Sequence, residues 1–194
     1  HNNGNIFGVV HSTVRFWDMR HFHHSDKLIN YDRNLTTLPD YFLLNGSYAK
    51  ELYIESGIPE KRALESEALR YREIINNQFI EKEESKDEAI LLILDYSETF
   101  SINMMKFIEL YEKEYQRDLH YIVKPHVNSP IDLRDFEIKN AVISNDKIEV
   151  LLHNPCKCVC SNMTSAQIDA LIMQSSVIVI LDGKEINLSP LKGL

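Results

Sequence analysis

CKCVCSNMTSAQIDALIMQSSVIVILDG, running from Cys156 to Gly183, decides how this chain is read. CKCVC alternates β-leaning residues, SNMTS is small and polar, AQIDALIMQSS has a helical pattern, and VIVILDG is a continuous apolar run that ends in a turn. That order predicts strand, tight turn, helix and buried parallel strand. Thr164 and Gln167 have capping-box spacing, so Thr164 is expected to open the helix with Ser165 in its first turn. A helix that begins just past a strand directs its unpaired amide N–H groups, and the positive end of its dipole, at the carboxyl edge of the sheet. Phosphate binds at such edges in many α/β proteins.

The sequence on either side of this stretch repeats its logic. Ala89 to Leu94 reads as a strongly apolar strand and Asp95 to Thr99 as a turn. Ser101 then begins a helix with Met104, Ile108, Tyr111 and Tyr115 on one face. Leu119 to Val123 is the next strand, with Lys124-Pro125-His126 at its carboxyl end. Ile131 to Ser144 is expected to hold a short helix, Ile148 to Leu152 a strand, and Val177 to Leu181 the last strand. Strands alternating with helices predict an α/β fold, a Rossmann-like parallel sheet with helices on both faces.

Nearer the amino terminus, Ile6 to Val10 and Tyr41 to Leu44 read as strands, the second stopped by Asn45-Gly46. Ser47 is placed to cap a helix through Ser56, with Ala49, Leu52 and Tyr53 on one face and Gly57 and Pro59 ending it. For Arg62 to Arg70, helix and strand both remain open. From Tyr71 to Glu88 charge rises, above all in EKEESKDE, as in a solvated helix end or linker. The expected organisation is therefore residues 1–70 as one α/β part, 71–88 as a charged linker, and 89–194 as a Rossmann-like domain. INLSPLKGL follows a strand with no closing helix, so the chain is expected to be a piece of a longer polypeptide.

Composition narrows the function classes. Of 194 residues, 44% are hydrophobic, enough for one good core or two small ones. Acidic residues number 29 against 21 basic ones, and a net charge of −8 argues against a large nucleic-acid surface. No apolar run is long enough to cross a bilayer. Three cysteines in a mixed α/β pattern point to a reducing compartment rather than a disulfide framework. Cys156, Cys158 and Cys160 alternate along one strand, which is a core pattern rather than zinc-ligand spacing, and His21, His23 and His24 lack a complementary cluster. No metal and no cofactor are expected. Without a glycine-rich phosphate loop, an ATPase or a nicotinamide dehydrogenase is disfavoured.

If the sheet is parallel, three turns converge on its carboxyl edge. They bring Ser97, Glu98 and Thr99, then Lys124 and His126, then Ser161, Thr164 and Ser165. Hydroxyls, helix-start amides, a lysine and a histidine make a cradle for phosphate or pyrophosphate. Each turn alone reads as an ordinary helix cap or loop; their recurrence at one edge makes the hypothesis. The polar tail from Asp182 to Pro190 reads equally as a turn past the last strand or as a lining of the same cleft, with Asn187 and Ser189 meeting a ligand. HSTVRFWDMRHFHH, from His11 to His24, is dense in His, Arg and aromatic residues after a strand, which suits a functional loop or, equally, a loop packed by its aromatics.

Taken together, these residues resemble a GT-B glycosyltransferase of bacterial surface carbohydrate biosynthesis. Lys124-Pro125-His126 after one strand, SNMTSAQIDA opening a helix after another, and DGKEINLSPLKG after the next resemble that fold's nucleotide-sugar-binding domain. HSTVRFWDMRHF and LPDYFLLNGSYAKELYIESGIP look like the end of its acceptor-side domain. The histidine-proline-type motif with a Ser/Thr-rich helix start is similar to transferases that use CMP-activated acidic sugars. The resemblance implies transfer of a sugar from a nucleotide-sugar donor to a glycan or lipid-linked glycan acceptor, without a bound metal. It implies a cytoplasmic protein, with peripheral association at the inner face of the membrane compatible with that role. Asp18 or His11 would then serve as the base, and Arg15 or Arg20 would pair with a sugar carboxylate or an acceptor phosphate. A nucleotide-sugar epimerase or hydrolase on the same fold, and a non-catalytic Rossmann-like interaction module, are the alternatives.

Overall fold

The computed structural model describes residues 4–15, 19–21, 38–67, 71–77, 89–153 and 157–191. It divides into two compact units, residues 1–72 and 73–194.

The first unit is a three-stranded parallel sheet, β1 (Phe7–Val10), β2 (Tyr41–Asn45) and β3 (Ala63–Ser66), in that order. The open reading of residues 62–70 thus resolves as a strand for 63–66, while 68–70 lie outside the described residues. Helix α1 (Ser47–Glu55) buries Ala49, Leu52 and Tyr53 against Phe42, Leu44 and Ala63. The expected serine cap does not form. Gly46, at φ 87°, holds the N-cap position and Ser47 is the first helical residue. Glycine adopts that left-handed backbone without a Cβ clash, so the strand can turn at once into the helix. Gly8 matters for a different reason: a Cβ there would lie 2.6 Å from the Pro39 ring. Arg62, directly before β3, is buried, donating from Nε to the Asp40 carbonyl at 2.9 Å and from Nη2 to the Pro39 carbonyl at 2.6 Å, with its guanidinium 6.0 Å from the Phe42 ring.

The second unit is a five-stranded, all-parallel sheet with strand order β6-β5-β4-β7-β8. Its strands are β4 (Ile90–Ile93), β5 (Tyr121–Lys124), β6 (Ala141–Ile143), β7 (Lys157–Ser161) and β8 (Ser176–Ile180). Long helix α3 (Glu98–Tyr115) covers one face, packing Met104, Met105 and Ile108 on Leu92, Leu94, Tyr121 and Val123. The other face buries Leu91, Ile93, Cys158 and Cys160 under Ile74 of α2 (Arg72–Asn77), Leu152, and Ala170 and Met173 around α5 (Ala166–Ile172). This is the Rossmann-like α/β architecture, a parallel sheet with helices on both faces. Cys158 and Cys160 are buried on one face as the alternation required; Cys156 lies outside the described residues.

Two local expectations give way, one at residues 148–152 and one on the buried face of α3. Residues 148–152 are not a strand: α4 (Ile148–Leu151) is helical, because Ile148, Leu151 and Leu152 meet the core at helical spacing while Val150 stays exposed. Between 131 and 144 the expected short helix is a single 3-10 turn, Leu133–Asp135, followed by strand β6. On α3 the buried stripe is Ser101, Met104, Met105, Ile108 and Glu112, which leaves Tyr111 and Tyr115 outside. Glu112 takes an inner place on the helix, where its charge acts on the Tyr121 hydroxyl. Burial and the Glu112 charge push that hydroxyl up to about 12. Residues 72–77 of the charged stretch are helical, as the helix-end reading allowed, with Ile74 in the second unit's core, while 78–88 lie outside the described residues.

Candidate functional site

The strand order of the second unit reverses direction at β4: β5 lies on one side of it and β7 on the other. Ligands of doubly wound sheets bind at the carboxyl edge where the order reverses. The turns after β4, β5 and β7 therefore define the place to look.

Tyr96 joins all three turns. It follows β4 and is half-exposed; its ring meets the edge of the His126 ring at a centroid distance of 6.2 Å, and its hydroxyl lies 3.8 Å from the Met163 sulfur. Below it, Asp95 is buried and accepts from the amides of Ser97 at 3.2 Å and Met163 at 2.9 Å. The turns that carry Ser97, His126 and Thr164 thus share one rim.

Each predicted residue can now be located. Ser97 is the N-cap residue of α3, without a side-chain capping bond, and Glu98 and Thr99 form the helix's first turn rather than preceding it. Lys124 closes β5, its carbonyl accepting from the Leu94 amide at 3.0 Å. His126 Nδ1 accepts from the Asn128 amide at 3.2 Å, so the neutral ring carries its proton on Nε2, a donor. Ser161 is buried at the end of β7. The Thr164 hydroxyl accepts from the Ala166 amide at 3.4 Å, and Ser165 holds the N-cap position of α5 without a capping bond of its own.

The expected capping box between Thr164 and Gln167 is absent. Gln167 turns into the core, fully buried, and donates from Nε2 to the carbonyls of Ser161 at 2.8 Å and Asn162 at 3.1 Å. Carbonyls at the buried end of a strand need donors, and that need outweighs a cap on the helix's exposed side.

Asn187 and Ser189 take part in the same internal network. The Ser189 hydroxyl donates to Gln167 Oε1 at 2.5 Å and accepts from the Leu191 amide at 3.1 Å, and Asn187 Oδ1 accepts from the Ser189 amide at 2.9 Å. Buried Asn162 completes the fastening, donating to the Ile186 carbonyl and accepting from the Leu188 amide, each at 2.9 Å. The tail is a strap sewn to the turn after β7. It is not a pair of side chains presented to a cleft.

Beside the rim, a cleft of about 360 Å³ opens between the first turns of α3 and the ends of β7 and β8. Phe100, Asn103, Asn162 and Asp182 are among its lining residues.

In the first unit, His11 follows β1 and is exposed, and Arg15 is half-buried. Arg20 belongs to the 3-10 turn Met19–His21, its side chain lying outside the described residues, as does Asp18 altogether. His21 was read only as part of a histidine cluster, yet its Nδ1 lies 2.7 Å from the Tyr53 hydroxyl. Sequence reading also passed over Asp95, Tyr96, Asn162 and the side chain of Gln167. Asp95 carried a usable signal, an acidic residue directly after the most apolar strand; the others carried none.

What fold and rim define is a doubly wound α/β chain with a polar carboxyl edge. No protein-family model matches it, and no curated protein does. Among solved structures, the wall teichoic acid polymerase TagF is similar with a TM-score of 0.39 and 17% identity, over 71% of this chain and 38% of that one. This is a weak likeness. The chain spans well under half of that structure's length.

Proposed function

We propose that the second unit binds the donor nucleotide of a glycosyltransferase, and that the chain is all or part of such an enzyme. The observation that carries this reading is the meeting of three turns at one rim through Tyr96, with His126 Nε2–H, Lys124 and the hydroxyls of Ser97 and Thr164 around it. In glycosyl transfer an acceptor oxygen attacks the anomeric carbon, the bond to the nucleotide phosphate breaks, and negative charge builds on the departing phosphate. Donors fixed in advance at that position lower the barrier. His126 and Lys124 are the residues assigned to it.

The acceptor hydroxyl also loses a proton. His11 or Asp18 would take it, and Arg15 or Arg20 would hold a sugar carboxylate or acceptor phosphate. The donor proposed is CMP-linked and the acceptor a surface glycan or lipid-linked glycan, which fits a cytoplasmic protein with peripheral membrane association. The test is a calorimetric and thermal-shift screen of the whole chain against CMP, UDP, GDP and their sugars. A ligand at a hundred times its dissociation constant stabilises the folded state by about 2.7 kcal/mol. His126→Ala is expected to weaken binding about tenfold, the loss of one charge-assisted hydrogen bond. A screen with no stabilising nucleotide removes the proposal.

One observation favours a second reading, a protein-interaction module. Phe107 and Leu110 on α3 and Ile178 on β8 are large apolar side chains more than half exposed. That reading predicts no nucleotide affinity.

A further inference from the structure

In doubly wound sheets, backbone amides in the turns flanking the reversal of strand order commonly hold a ligand phosphate. Here two of those amides are already taken by a side-chain carboxyl group. The Asp95 side chain, 1% exposed, accepts from the Ser97 amide through Oδ1 at 3.2 Å and from the Met163 amide through Oδ2 at 2.9 Å. Its main chain is fixed as well. The Asp95 amide donates to Ser101 Oγ at 3.1 Å, and that buried hydroxyl donates back to the Asp95 carbonyl at 3.0 Å. The contact to Met163 spans 68 residues of sequence and joins the turn after β4 to the turn after β7. A carboxylate is buried without large cost only when its oxygens are bonded, so this arrangement is selective for an anion held in one orientation.

We propose that Asp95 is an internal anion that fills the phosphate position between β4 and β7, clamps those two turns together, and leaves the phosphates of a bound nucleotide to the β5 side, at Lys124 and His126. The last clause rests on the nucleotide-binding reading above; the first two do not. The charge argument is direct, since a phosphate placed against Asp95 would meet a like charge in a partly desolvated setting, whereas Lys124 and the Nε2–H of His126 favour it. Asp95 is a positioning residue. Its oxygens face amides of this chain, and it acts by setting where Tyr96 and Met163 stand.

The test uses the whole chain. Asp95→Ala leaves a carboxylate-sized space beside two amide donors, and formate is expected to raise the thermal midpoint of this variant but not of the wild type. Chloride at equal ionic strength is expected to do neither. A merely structural side chain would show no such anion-selective rescue. Asp95→Asn keeps the shape but turns an NH₂ group toward one amide, and hydrogen exchange at Met163 or Ser97 is expected to quicken by about tenfold. If Asp95→Ala fails to fold, the exchange rates of Asp95→Asn decide. Formate without selective effect on folded Asp95→Ala, or unchanged exchange in Asp95→Asn, overturns the internal anion.

For the wild type, CMP is expected to shift the resonances of Lys124 and His126 more than the amides of Ser97 and Met163. A shift centred on Met163 overturns the placement of the phosphates. Absence of any CMP, UDP or GDP binding overturns the functional reading and that placement with it, while the formate and exchange results still judge the clamp.

Discussion

β4 and β8 are written in nearly the same letters, ILLI and SVIVI, and lie in the same sheet, yet they live in different environments. Leu91, Leu92 and Ile93 are 2%, 0% and 3% exposed, whereas Ile178 is 62% exposed. The first sits third of five in the strand order and the second at the edge. A continuous apolar run signals a parallel strand, but helices bury both faces of a parallel sheet most fully at its centre. Strand order, which emerges only on folding, decides what a given apolar residue contributes.

The sharpest way to break this comparison is a pair of truncations. Leu92→Ala is expected to cost about 2–5 kcal/mol in chemical denaturation, the range for a buried leucine. Ile178→Ala is expected to change stability by less than about 0.5 kcal/mol. Equal losses would show that β8 is covered in solution.

Buried polar fastenings come next. In the first unit, Arg62→Leu leaves the carbonyls of Pro39 and Asp40 without their charged donor, at an expected cost of about 1.5–3 kcal/mol by the same measurement. In the second, Gln167→Leu takes the side-chain donor from the Ser161 and Asn162 carbonyls and the acceptor from the Ser189 hydroxyl, at about 1–3 kcal/mol. Limited proteolysis should then cut between Asp182 and Leu191, where the wild type resists. An uncut tail would mean that the strap does not depend on Gln167.

Titration gives a smaller effect. Tyr121 keeps its proton in the folded state up to about 12, against an ordinary value of 10.0, because of burial and the Glu112 charge. Between those values the unfolded chain has lost the proton that the folded chain still binds. Stability is therefore complete below pH 10 and falls as pH rises toward 12. Tyr121→Phe should flatten that part of the stability–pH curve, and an unchanged slope would assign it to other groups.

Smallest of all is the exposed pair on the turn after β5. Arg134 holds the Asp132 carboxyl at about 2, below its ordinary 3.8, through a forked hydrogen bond. The stabilisation it brings is present above pH 3.8 and lost as pH falls toward 2. Salt screens such a pair, and Arg134→Ala is expected to leave the neutral-pH denaturation midpoint unchanged. A clear drop would reveal a structural role for the turn.

Much of the fold was legible because strand periodicity and turn chemistry act over a few residues. Strands β1, β2, β4, β5, β7 and β8 and helix α1 are local patterns, and so is the run of small polar residues that opens the turn after β7. The failures share one cause. Residues 148–152, the outer tyrosines of α3 and the capping box at Thr164 were each judged by neighbours in sequence. Each was then settled by packing and by the needs of buried polar groups: the core around Leu152, Glu112 beside Tyr121, and the carbonyls of Ser161 and Asn162 that Gln167 serves. At the rim, the hydroxyls and the histidine were visible as types, while the roles of Asp95 and Tyr96 were not.

The amino-acid sequence by itself determined an α/β chain, the alternation of strands and helices, and the set of polar residues that follow the strands, since these depend on period and on local backbone preference. Only the tertiary structure decided which strands lie at the centre and that the tail residues fasten inward. It also brought Asp95, Tyr96, His126 and Met163 to one edge. Those outcomes depend on pairing segments dozens of residues apart, where the gain from burying apolar faces and bonding every buried polar group is settled for the whole sheet at once.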